Sequence, residues 1–344
     1  MKILRNLFYK SSRDLPTISI LVPCYNSRET LPATLKSIQA SIYRNLDVMV
    51  VDDGHEVRVE DIVKSFNDSR FRYFYKDNEG LGLTRNFGIE NALGEYIFFL
   101  DSDDLIYPNA LSSLMDYALA HDLDCVSGVT VRKNAETGIE SEWFRSLYRT
   151  KRISTLENRL SQFDDTLSTN KLYRVEALKK HDIYFETGLY EDKLFTAKLY
   201  SKLERIGLID ERVYVWLVYG SETSITTSKS VANFQGRMTA INNLWRYIPE
   251  IRKAYQIAFY MNHDLLIYLR EFVFYSQAEK DEIYETAKEF IQKHYHYIYH
   301  RLVPASLNRA CLDALCDGDK EKFMYTADIL SQIFQDEQKQ KQRI

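Results

Sequence analysis

Short apolar runs alternate with amphipathic segments over the first hundred residues of the chain. The apolar runs predict buried strands, because they are rich in β-branched and aromatic residues and are bounded by turn or polar residues. The segments between them carry apolar residues at helical spacing, and Ser27 is the expected N-cap of the first helix. The predicted strands are TISILVPCYN (17–26), LDVMVVDDG (46–54), RFRYFYK (70–76) and EYIFFLDSDD (95–104). This alternation predicts an α/β sheet of parallel strands covered by helices on both faces.

The second half of the chain changes character at about Val231. Strands and helices continue to alternate up to residue 220, but beyond Val231 long stretches rich in Tyr, Leu, Ile, Lys and Glu predict helices only. The Ser/Thr-rich stretch SETSITTSKSVA (221–232) separates the two halves and marks a domain boundary. The predicted organisation is a basic, amphipathic N-terminal segment (1–16), an α/β domain (17–226) and an all-α C-terminal domain (227–344).

Polar side chains follow three of the predicted strands at the point where each strand ends. Asn26 follows the first strand, Asp52 and Asp53 end the second, and the cluster 101–104 ends the fourth. The carboxyl ends of parallel strands meet at one edge of the sheet, and ligands of open α/β sheets bind beyond that edge. The sequence therefore predicts a binding site there.

Asp101, Asp103 and Asp104 crowd three carboxylates into four positions. Buried carboxylates repel one another, so we expect a cation to neutralise them. Mg²⁺ or Mn²⁺ suits oxygen ligands and is commonly held by one or two carboxylates together with substrate phosphates. The alternative is a solvated loop in which Asp101 or Asp104 caps the helix that follows.

Two other features of the same edge have a functional and a structural interpretation. Asp52 and Asp53 either form the turn at Gly54 or accept a hydrogen bond from a nucleobase. Arg85 follows the glycine-containing stretch EGLGL and is suited to meet a phosphate, although a lone arginine is more often a surface residue. The spacing is not that of a P-loop, which disfavours nucleoside triphosphate hydrolysis.

Glu191 and Asp192 begin a predicted helix, where the helix dipole stabilises carboxylates in any case. The functional alternative is a general base, because activation of a hydroxyl group for attack requires a carboxylate within hydrogen-bond reach. The histidines at 294, 296 and 300 have no accompanying carboxylate cluster, so a metal site there is disfavoured. The many aromatic residues nearby either fill a helical core or bind an acceptor.

Composition narrows the classes of function. Hydrophobic residues make up 45% and charged residues 27% of the chain, the net charge is -4, and the four cysteines lack metal-ligand spacing. These values predict a globular protein with reduced cysteines and no nucleic-acid partner. No apolar run suggests a transmembrane helix, so we expect a cytoplasmic protein. Its N-terminal segment either packs on the body or lies on the inner face of the membrane.

Taken together, the motifs resemble those of family 2 glycosyltransferases, the inverting enzymes with a GT-A fold. They occur in the family's order and spacing over roughly residues 17–226. The segments that carry the resemblance are ISILVPCYNSRETLPATLKSI, VMVVDDG, GLTRNFGIENALGEYIFFLDSDD, STNKLYRVEAL and GLYEDKLF. The resemblance implies a GT-A fold, a Rossmann-like, mixed and mostly parallel sheet flanked by helices. It says little about the helical domain after Val231.

The resemblance also implies roles for individual residues. It implies that the end of the first strand and the nucleotide pocket bind the nucleotide sugar. It also implies that the DxD region (101–104) binds a metal and that the ED pair, Glu191 and Asp192, is catalytic. We favour Asp103 or Asp104 as the metal ligand, while the division of roles among the three aspartates stays open. The implied binding residues are Pro23, Tyr25, Asn26, Asp53, Arg85, Asp101 and Asp103; the implied metal ligands are Asp103 and Asp104; the implied catalytic residues are Asp192, the base, and Glu191. Cys24 and His55 depart from the family's usual residues.

The implied activity is transfer of a hexose or N-acetylhexosamine from a UDP-sugar to a hydroxyl of a glycan, glycoprotein or lipid-linked acceptor, with Mn²⁺ or Mg²⁺. A sugar-phosphate nucleotidyltransferase and a non-catalytic nucleotide-sugar-binding protein remain alternatives. The ED pair disfavours a nucleotidyltransferase, because such an enzyme would not need it. The complete set of carboxylates disfavours a non-catalytic binding protein. For the helical domain, acceptor binding and homo-oligomerisation both stay open. The identity of the donor sugar does not follow from the sequence.

Overall fold

The computed structural model of the chain describes residues 15–54, 56–154, 160–219, 229–298 and 306–341. The chain folds as two compact units. The first unit comprises Met1–Thr187 and Lys198–Gly220, and the second comprises Gly188–Ala197 and Ser221–Ile344. The short segment Gly188–Ala197, which contains the ED pair, thus groups with the helical unit although it is distant from it in sequence.

The first unit alternates strands and helices, as the apolar pattern predicts. Its strands are β1 (Ile18–Cys24), β2 (Leu46–Asp53), β3 (Phe71–Lys76), β4 (Tyr96–Phe99), β5 (Leu105–Ile106), β6 (Cys125–Asn134), β7 (Glu140–Trp143), β8 (Arg152–Ser154), β9 (Lys171–Arg174) and β10 (Ile206–Val218). Its helices are α1 (Leu31–Gln39), α2 (Glu60–Ser65), α3 (Leu81–Asn91), α4 (Ala110–His121), α5 (Val175–Lys180) and the C-terminal part of α6 (Glu191–Lys202).

The strands of the described residues form one mixed sheet of ten strands in the order β3-β2-β1-β4-β9-β6-β10-β5, with β7 beside β6 and β8 beside β10. The pairs β3-β2, β2-β1, β1-β4 and β6-β10 are parallel. Strand β9 is antiparallel to both β4 and β6. The mixed, mostly parallel α/β sheet is therefore confirmed, and β9 joins its two parallel parts.

The core of the first unit is built on both faces of the sheet. Every residue of β1 and β2 is buried, as expected for central strands with helices on either side. On one face, apolar residues of α1 and α4 join Ile20 and Val22 in a single cluster. On the other face, α3 approaches β1 so closely that a Cβ on Gly88 would lie 2.4 Å from Leu21 Cδ2. A larger residue at position 88 would therefore require the Leu21 side chain to shift.

One expectation about a helix start is wrong, and one alternative for the acidic cluster does not hold. Helix α1 begins at Leu31 with Thr30, not Ser27, at the N-cap position. Proline is favoured in the first turn of a helix, and Pro32 occupies that turn here. Helix α4 has Asn109 as its N-cap, so neither Asp101 nor Asp104 caps it. The structural explanation for the acidic cluster as a helix cap is thereby excluded.

The second unit consists of helices. Its described elements are the N-terminal part of α6, α7 (Val231–Leu244), α8 (Glu250–Tyr260), α9 (Leu266–Leu269), α10 (Gln277–Ile298), α11 (Leu307–Asp317) and α12 (Lys320–Lys341), with a π-helical segment, Met261–Leu265, between α8 and α9. Several large aromatic residues here fill the core, and others are partly or fully exposed. Tyr260, Tyr268, Phe272, Tyr284 and Phe290 are all buried, whereas Phe274 is exposed.

Candidate functional site

The parallel register of the sheet brings the ends of β1, β2 and β4 together. Strand β1 lies between the other two, with Cys24 opposite Asp52 and Leu21 opposite Phe99. Pro23 and Cys24 end β1 inside the core, and Tyr25 and Asn26 are the first exposed residues beyond it. Asn26 has φ of 53°, a left-handed conformation that asparagine tolerates better than most residues. The backbone thus turns sharply as it leaves the sheet.

Asp52 is buried and holds the segment that leads into α2. Its Oδ2 atom accepts hydrogen bonds from the amide of Val59, at 3.1 Å, and from the hydroxyl of Tyr73, at 2.9 Å. Burial, followed by the hydrogen bond to Asp52, raises the pKa of Tyr73 well above its usual range, which keeps its hydroxyl protonated. Asp52 therefore has a structural role at the strand end.

Asp53 organises the loop that begins α3. Its carboxylate accepts hydrogen bonds from the amides of Glu79 and Gly80, at 3.1 and 3.0 Å, and from Lys76 Nζ. The residue is 4% exposed. Gly80 is the N-cap of α3, with φ of 89°. The carboxylate implied to contact a nucleobase is thus also the anchor of the loop in front of Arg85.

Arg85 is a buried residue, not the surface arginine that its type suggests. Its side chain is 1% exposed and its Nη2 atom lies 2.8 Å from Asp101 Oδ1. The guanidinium also lies over the ring of Phe185, 5.3 Å from the centroid. The Asp101 side chain is 31% exposed. Arg85 therefore neutralises the first carboxylate of the acidic cluster from inside the protein.

The other two aspartates of the cluster have different surroundings. Asp104 is 5% exposed, and its two oxygens accept hydrogen bonds from the hydroxyl of Tyr214, at 2.6 Å, and from the amide of Leu217, at 2.8 Å. Burial, with the charges of Asp103 and Asp101, raises the pKa of Asp104 well above its usual range. Asp103 is exposed, yet reduced hydration and then the charge of Asp101 raise its pKa to about 6. Asp103 is thus the carboxylate that faces outward.

Strand β10 completes this edge, and local sequence reasoning missed its contribution. Tyr214 is fully buried, donates to Asp104 and accepts a hydrogen bond from the amide of Asp101, at 3.3 Å. Tyr219, one residue beyond β10, is 42% exposed, and burial, with the charges of Asp103 and Asp104, raises its pKa. These residues lie more than a hundred positions from the acidic cluster in sequence. No local motif signals such a contact.

The carboxylates of Asp101 and Asp103 at this edge are oxygen ligands of the type that a divalent cation prefers. Asp103 presents an outward carboxylate whose raised pKa shows that its negative charge is poorly compensated by the protein. Asp101 lies beside Asp103, whereas both oxygens of Asp104 accept hydrogen bonds from residues of β10. Within the described residues, no three His, Cys, Asp or Glu side chains are grouped so as to hold a metal alone. Such a site suits a cation that takes its remaining ligands from substrate phosphates.

Glu191 and Asp192 are the first two residues of α6 and belong to the second unit. Both are partly buried. Tyr190, immediately before them, has φ of 63°, and its carbonyl accepts a hydrogen bond from the amide of Lys193, at 3.1 Å. The predicted helix start is therefore present.

Cys24 is no candidate nucleophile, because burial raises the pKa of its thiol to about 12.

Several sequence-based expectations lie outside the described residues. These are residues 1–14 of the amphipathic segment, His55, residues 221–228 of the linker and His300. His294 is buried, and its Nε2 lies 2.9 Å from Asn242 Oδ1. Among the helices of the described part, none is both long enough and apolar enough to cross a membrane.

Comparison with known proteins is consistent with this architecture. Residues 19–182 match the model of glycosyl transferase family 2. The chain is 27% identical to the glycosyltransferase GlyA of Streptococcus pneumoniae over 66% of its length and 32% of GlyA. It is 29% identical to the poly(ribitol-phosphate) beta-N-acetylglucosaminyltransferase TarS of Staphylococcus aureus over 58% of its length and 35% of TarS. It therefore spans about a third of the length of each of these two relatives.

A solved structure extends the likeness beyond the matched domain. The crystal structure of S. aureus TarS 1-349 in complex with UDP-GlcNAc superposes with a TM-score of 0.74, over 92% of each chain, at 22% identity. At this level of identity the likeness concerns the fold alone. Residues 19–182 thus match glycosyl transferase family 2, and the α/β domain that contains them has a GT-A fold and is followed by a helical region.

Proposed function

We propose that the protein is an inverting glycosyltransferase that moves a hexose or N-acetylhexosamine from a UDP-sugar to a hydroxyl group. The acceptor class is a glycan, a glycoprotein or a lipid-linked saccharide. The observation that carries the proposal is the strand edge of the family 2 domain, where the Arg85–Asp101 pair stands beside the outward carboxylate of Asp103. The similarity to TarS supports a UDP-linked donor, because TarS is named for N-acetylglucosaminyl transfer and its structure was solved in complex with UDP-GlcNAc.

The donor would bind at the carboxyl ends of β1, β2 and β4. Tyr25 and Asn26 offer an exposed aromatic ring and an amide beyond β1. Asp53 fixes the loop in front of α3, which lets that loop contribute backbone groups to the nucleotide. Arg85 and Asp101 set the charge beneath the diphosphate. Nucleobase recognition by Asp53 is a proposal in which part of its carboxylate exchanges a loop contact for the base.

We assign the cation to Asp103, with Asp101 as the second carboxylate, and give Asp104 the task of holding the cluster against β10. When bound, Mn²⁺ or Mg²⁺ supplies charge neutralisation for the diphosphate as the sugar departs. Buried and hydrogen-bonded, Asp104 keeps the loop 101–104 in place through Tyr214 and Leu217. Exposure and hydrogen bonding support this division of roles.

Asp192 is our general base. It accepts the proton of the acceptor hydroxyl while the oxygen attacks the anomeric carbon and the bond to the UDP oxygen breaks, which inverts that carbon in one displacement. Glu191 is assigned to the acceptor side. A cytoplasmic location, contact of segment 1–16 with the inner face of the membrane, and acceptor binding or homo-oligomerisation by the helical region all stay predictions from the sequence.

The test is UDP release from UDP-glucose, UDP-galactose, UDP-GlcNAc and UDP-GalNAc with Mn²⁺, with and without saccharide and poly(ribitol phosphate) acceptors. We expect one donor to be preferred and Asp192→Asn to lower its turnover about 10³-fold, since general-base catalysis contributes about 10²–10⁴-fold. UDP binding by the variant should stay within about twofold of the parent protein. Asp336→Asn, at an exposed aspartate of α12, is the matched control.

Three outcomes would contradict the proposal. Normal turnover by Asp192→Asn would exclude Asp192 as the base. Release of pyrophosphate from a nucleoside triphosphate and a sugar phosphate would indicate a nucleotidyltransferase. UDP binding without turnover of any donor would indicate a non-catalytic binding protein.

A further inference from the structure

The ED pair is preceded by an unusual backbone. Tyr190 has φ of 63°, in the left-handed region that bulky residues rarely adopt, and Gly188 has φ of 110°. Such a conformation persists only where its surroundings hold it, and it is found preferentially at functional sites. Because Tyr190 is the residue from which α6 starts, its conformation sets the direction in which Glu191 and Asp192 leave the turn.

Two residues of α7 hold the Tyr190 side chain. Its hydroxyl accepts a hydrogen bond from Arg237 Nε, at 2.7 Å, and donates one to Asn233 Oδ1. The guanidinium of Arg237 also lies over the tyrosine ring, 4.5 Å from the centroid. Asn233 and Arg237 are one helical turn apart and both are buried. The ring and its hydroxyl are thus fixed at the same time.

Arg237 is in turn fixed from a third element. Its Nη1 lies 3.0 Å from Asp264 Oδ1, and the same oxygen lies 3.1 Å from Lys193 Nζ. Asp264 is 1% exposed and belongs to the π-helical segment Met261–Leu265, a type of segment often found at functional sites. Lys193 follows Asp192 on α6. A continuous series of contacts therefore connects Tyr190, just before α6, through Arg237 and Asp264 to Lys193 in the first turn of α6.

Close packing supports the same turn. A Cβ added to Gly236 of α7 would lie 3.1 Å from the Cβ of Leu189, which precedes Tyr190. The helix and the turn therefore approach each other nearly as closely as two backbones with one side chain between them allow. Backbone approach and the buried ion pairs both act on the residues that flank Asp192.

We propose that Tyr190 and Arg237 are positioning residues that fix the start of α6 and thereby the carboxylate of Asp192. This inference rests on the proposed role of Asp192 as the base. A buried carboxylate shared by two cations is costly unless its geometry is well satisfied, and here that arrangement is centred on the turn before the base. A displacement of about 1 Å at a reacting group can cost about 10²-fold in rate, so the turn controls turnover and not donor affinity.

The experiment compares Tyr190→Phe and Tyr190→Gly with Tyr284→Phe. The first variant removes only the hydroxyl, and the second relieves the backbone conformation while it removes the anchor. The control removes the hydroxyl of another buried tyrosine of the same unit, which packs 5.3 Å from Phe323. The donor selected by the UDP-sugar panel is the substrate. The measurements are kcat, KM for the donor, the thermal unfolding midpoint, and amide hydrogen exchange of residues 188–193.

We expect kcat to fall about 10-fold in Tyr190→Phe and about 10²-fold in Tyr190→Gly, with KM for the donor within about twofold of the parent protein. Exchange at residues 188–193 should rise in both variants and stay unchanged in Tyr284→Phe. A Tyr190→Gly variant with normal kcat would overturn the inference, because an unstrained backbone alone would then suffice. Equal losses in Tyr284→Phe would also overturn it, since they would indicate general loosening of the unit.

Asp192→Asn, assayed in parallel, separates this inference from the proposed function. If Asp192→Asn is inactive and both Tyr190 variants are normal, only the positioning role is wrong. If Asp192→Asn is active, the base assignment is wrong and the positioning role falls with it.

Discussion

Lys171→Met should strongly destabilise the first unit. Lys171 lies in the STNKLYR stretch, on β9, and is 0% exposed. Its Nζ donates to Asp165 Oδ2 at 2.7 Å, to the carbonyl of Leu167 at 2.6 Å and to Asn170 Oδ1 at 2.6 Å. Asp165 is 1% exposed and also accepts from the hydroxyl of Tyr148. The motif therefore contains a fully buried ion pair, with every donor of the ammonium satisfied.

The expected loss is about 3–5 kcal/mol, the range for removing one partner of a buried ion pair. Methionine retains most of the apolar volume of lysine, so the loss arises chiefly from the charge of Asp165, which is left in the core with its attraction to Lys171 removed. Against a total stability of about 5–15 kcal/mol, this is a large fraction. Asp165→Asn combined with Lys171→Met should recover part of the loss, because the double variant buries no unpaired charge.

The assay is urea unfolding followed by tryptophan fluorescence in a Trp245→Phe background. The remaining tryptophans, Trp143 and Trp216, belong to the first unit, so the signal reports on that unit. Lys151→Met is the matched control. It breaks the pair Lys151–Glu211, whose side chains are 48% and 29% exposed, and should cost less than about 1 kcal/mol. A loss below about 1 kcal/mol for Lys171→Met, or one equal to the control, would refute the reasoning.

Two further predictions concern titratable groups. Burial lowers the pKa of His294 from 6.5 to about 4. Between these pH values the unfolded chain therefore binds a proton at this residue and the folded protein does not. The free energy of unfolding should fall by up to about 3 kcal/mol between pH 6.5 and 4, and His294→Gln should flatten this slope in urea unfolding at several pH values. Asp103→Asn should raise the thermal midpoint at neutral pH, because the raised pKa of Asp103 means that its ionised form costs stability above about pH 6. It should also lose more of the thermal stabilisation by UDP with Mn²⁺ than Asp104→Asn does, and equal losses would contradict the division of roles between the two aspartates.

Local pattern was sufficient for the elements that build the edge of the sheet. The first four strands and the helices between them were predicted near their observed positions, because each apolar run is short, β-rich and bounded by turn residues. The parallel arrangement then placed Asn26, Asp53 and Asp101 at one edge without further information. Helix starts were less predictable, since Ser27 and Thr30 are both acceptable caps and Pro32 decided between them.

The partners of the site residues could not be predicted in the same way. Asp104 is held by Tyr214 and Leu217, and no local spacing records a contact across so many residues. Strand β9 was not predicted as a strand, since its four residues gain their structure from antiparallel pairing with β4 and β6. For Asp53, local pattern allows a turn former or a base contact and the resemblance implies the base contact, whereas the fold shows a carboxylate that holds the loop 77–80.

Periodicity, turn residues and short motifs are enough to establish the alternating α/β order, the edge at which polar side chains gather and the resemblance to family 2 glycosyltransferases. The tertiary structure decided which of three neighbouring aspartates faces outward, which is buried and which is paired with Arg85. It also decided that the turn before Asp192 is held by Arg237 and Asp264. Exposure and charge compensation are properties of surroundings that distant segments supply, so they exist only once the chain has folded.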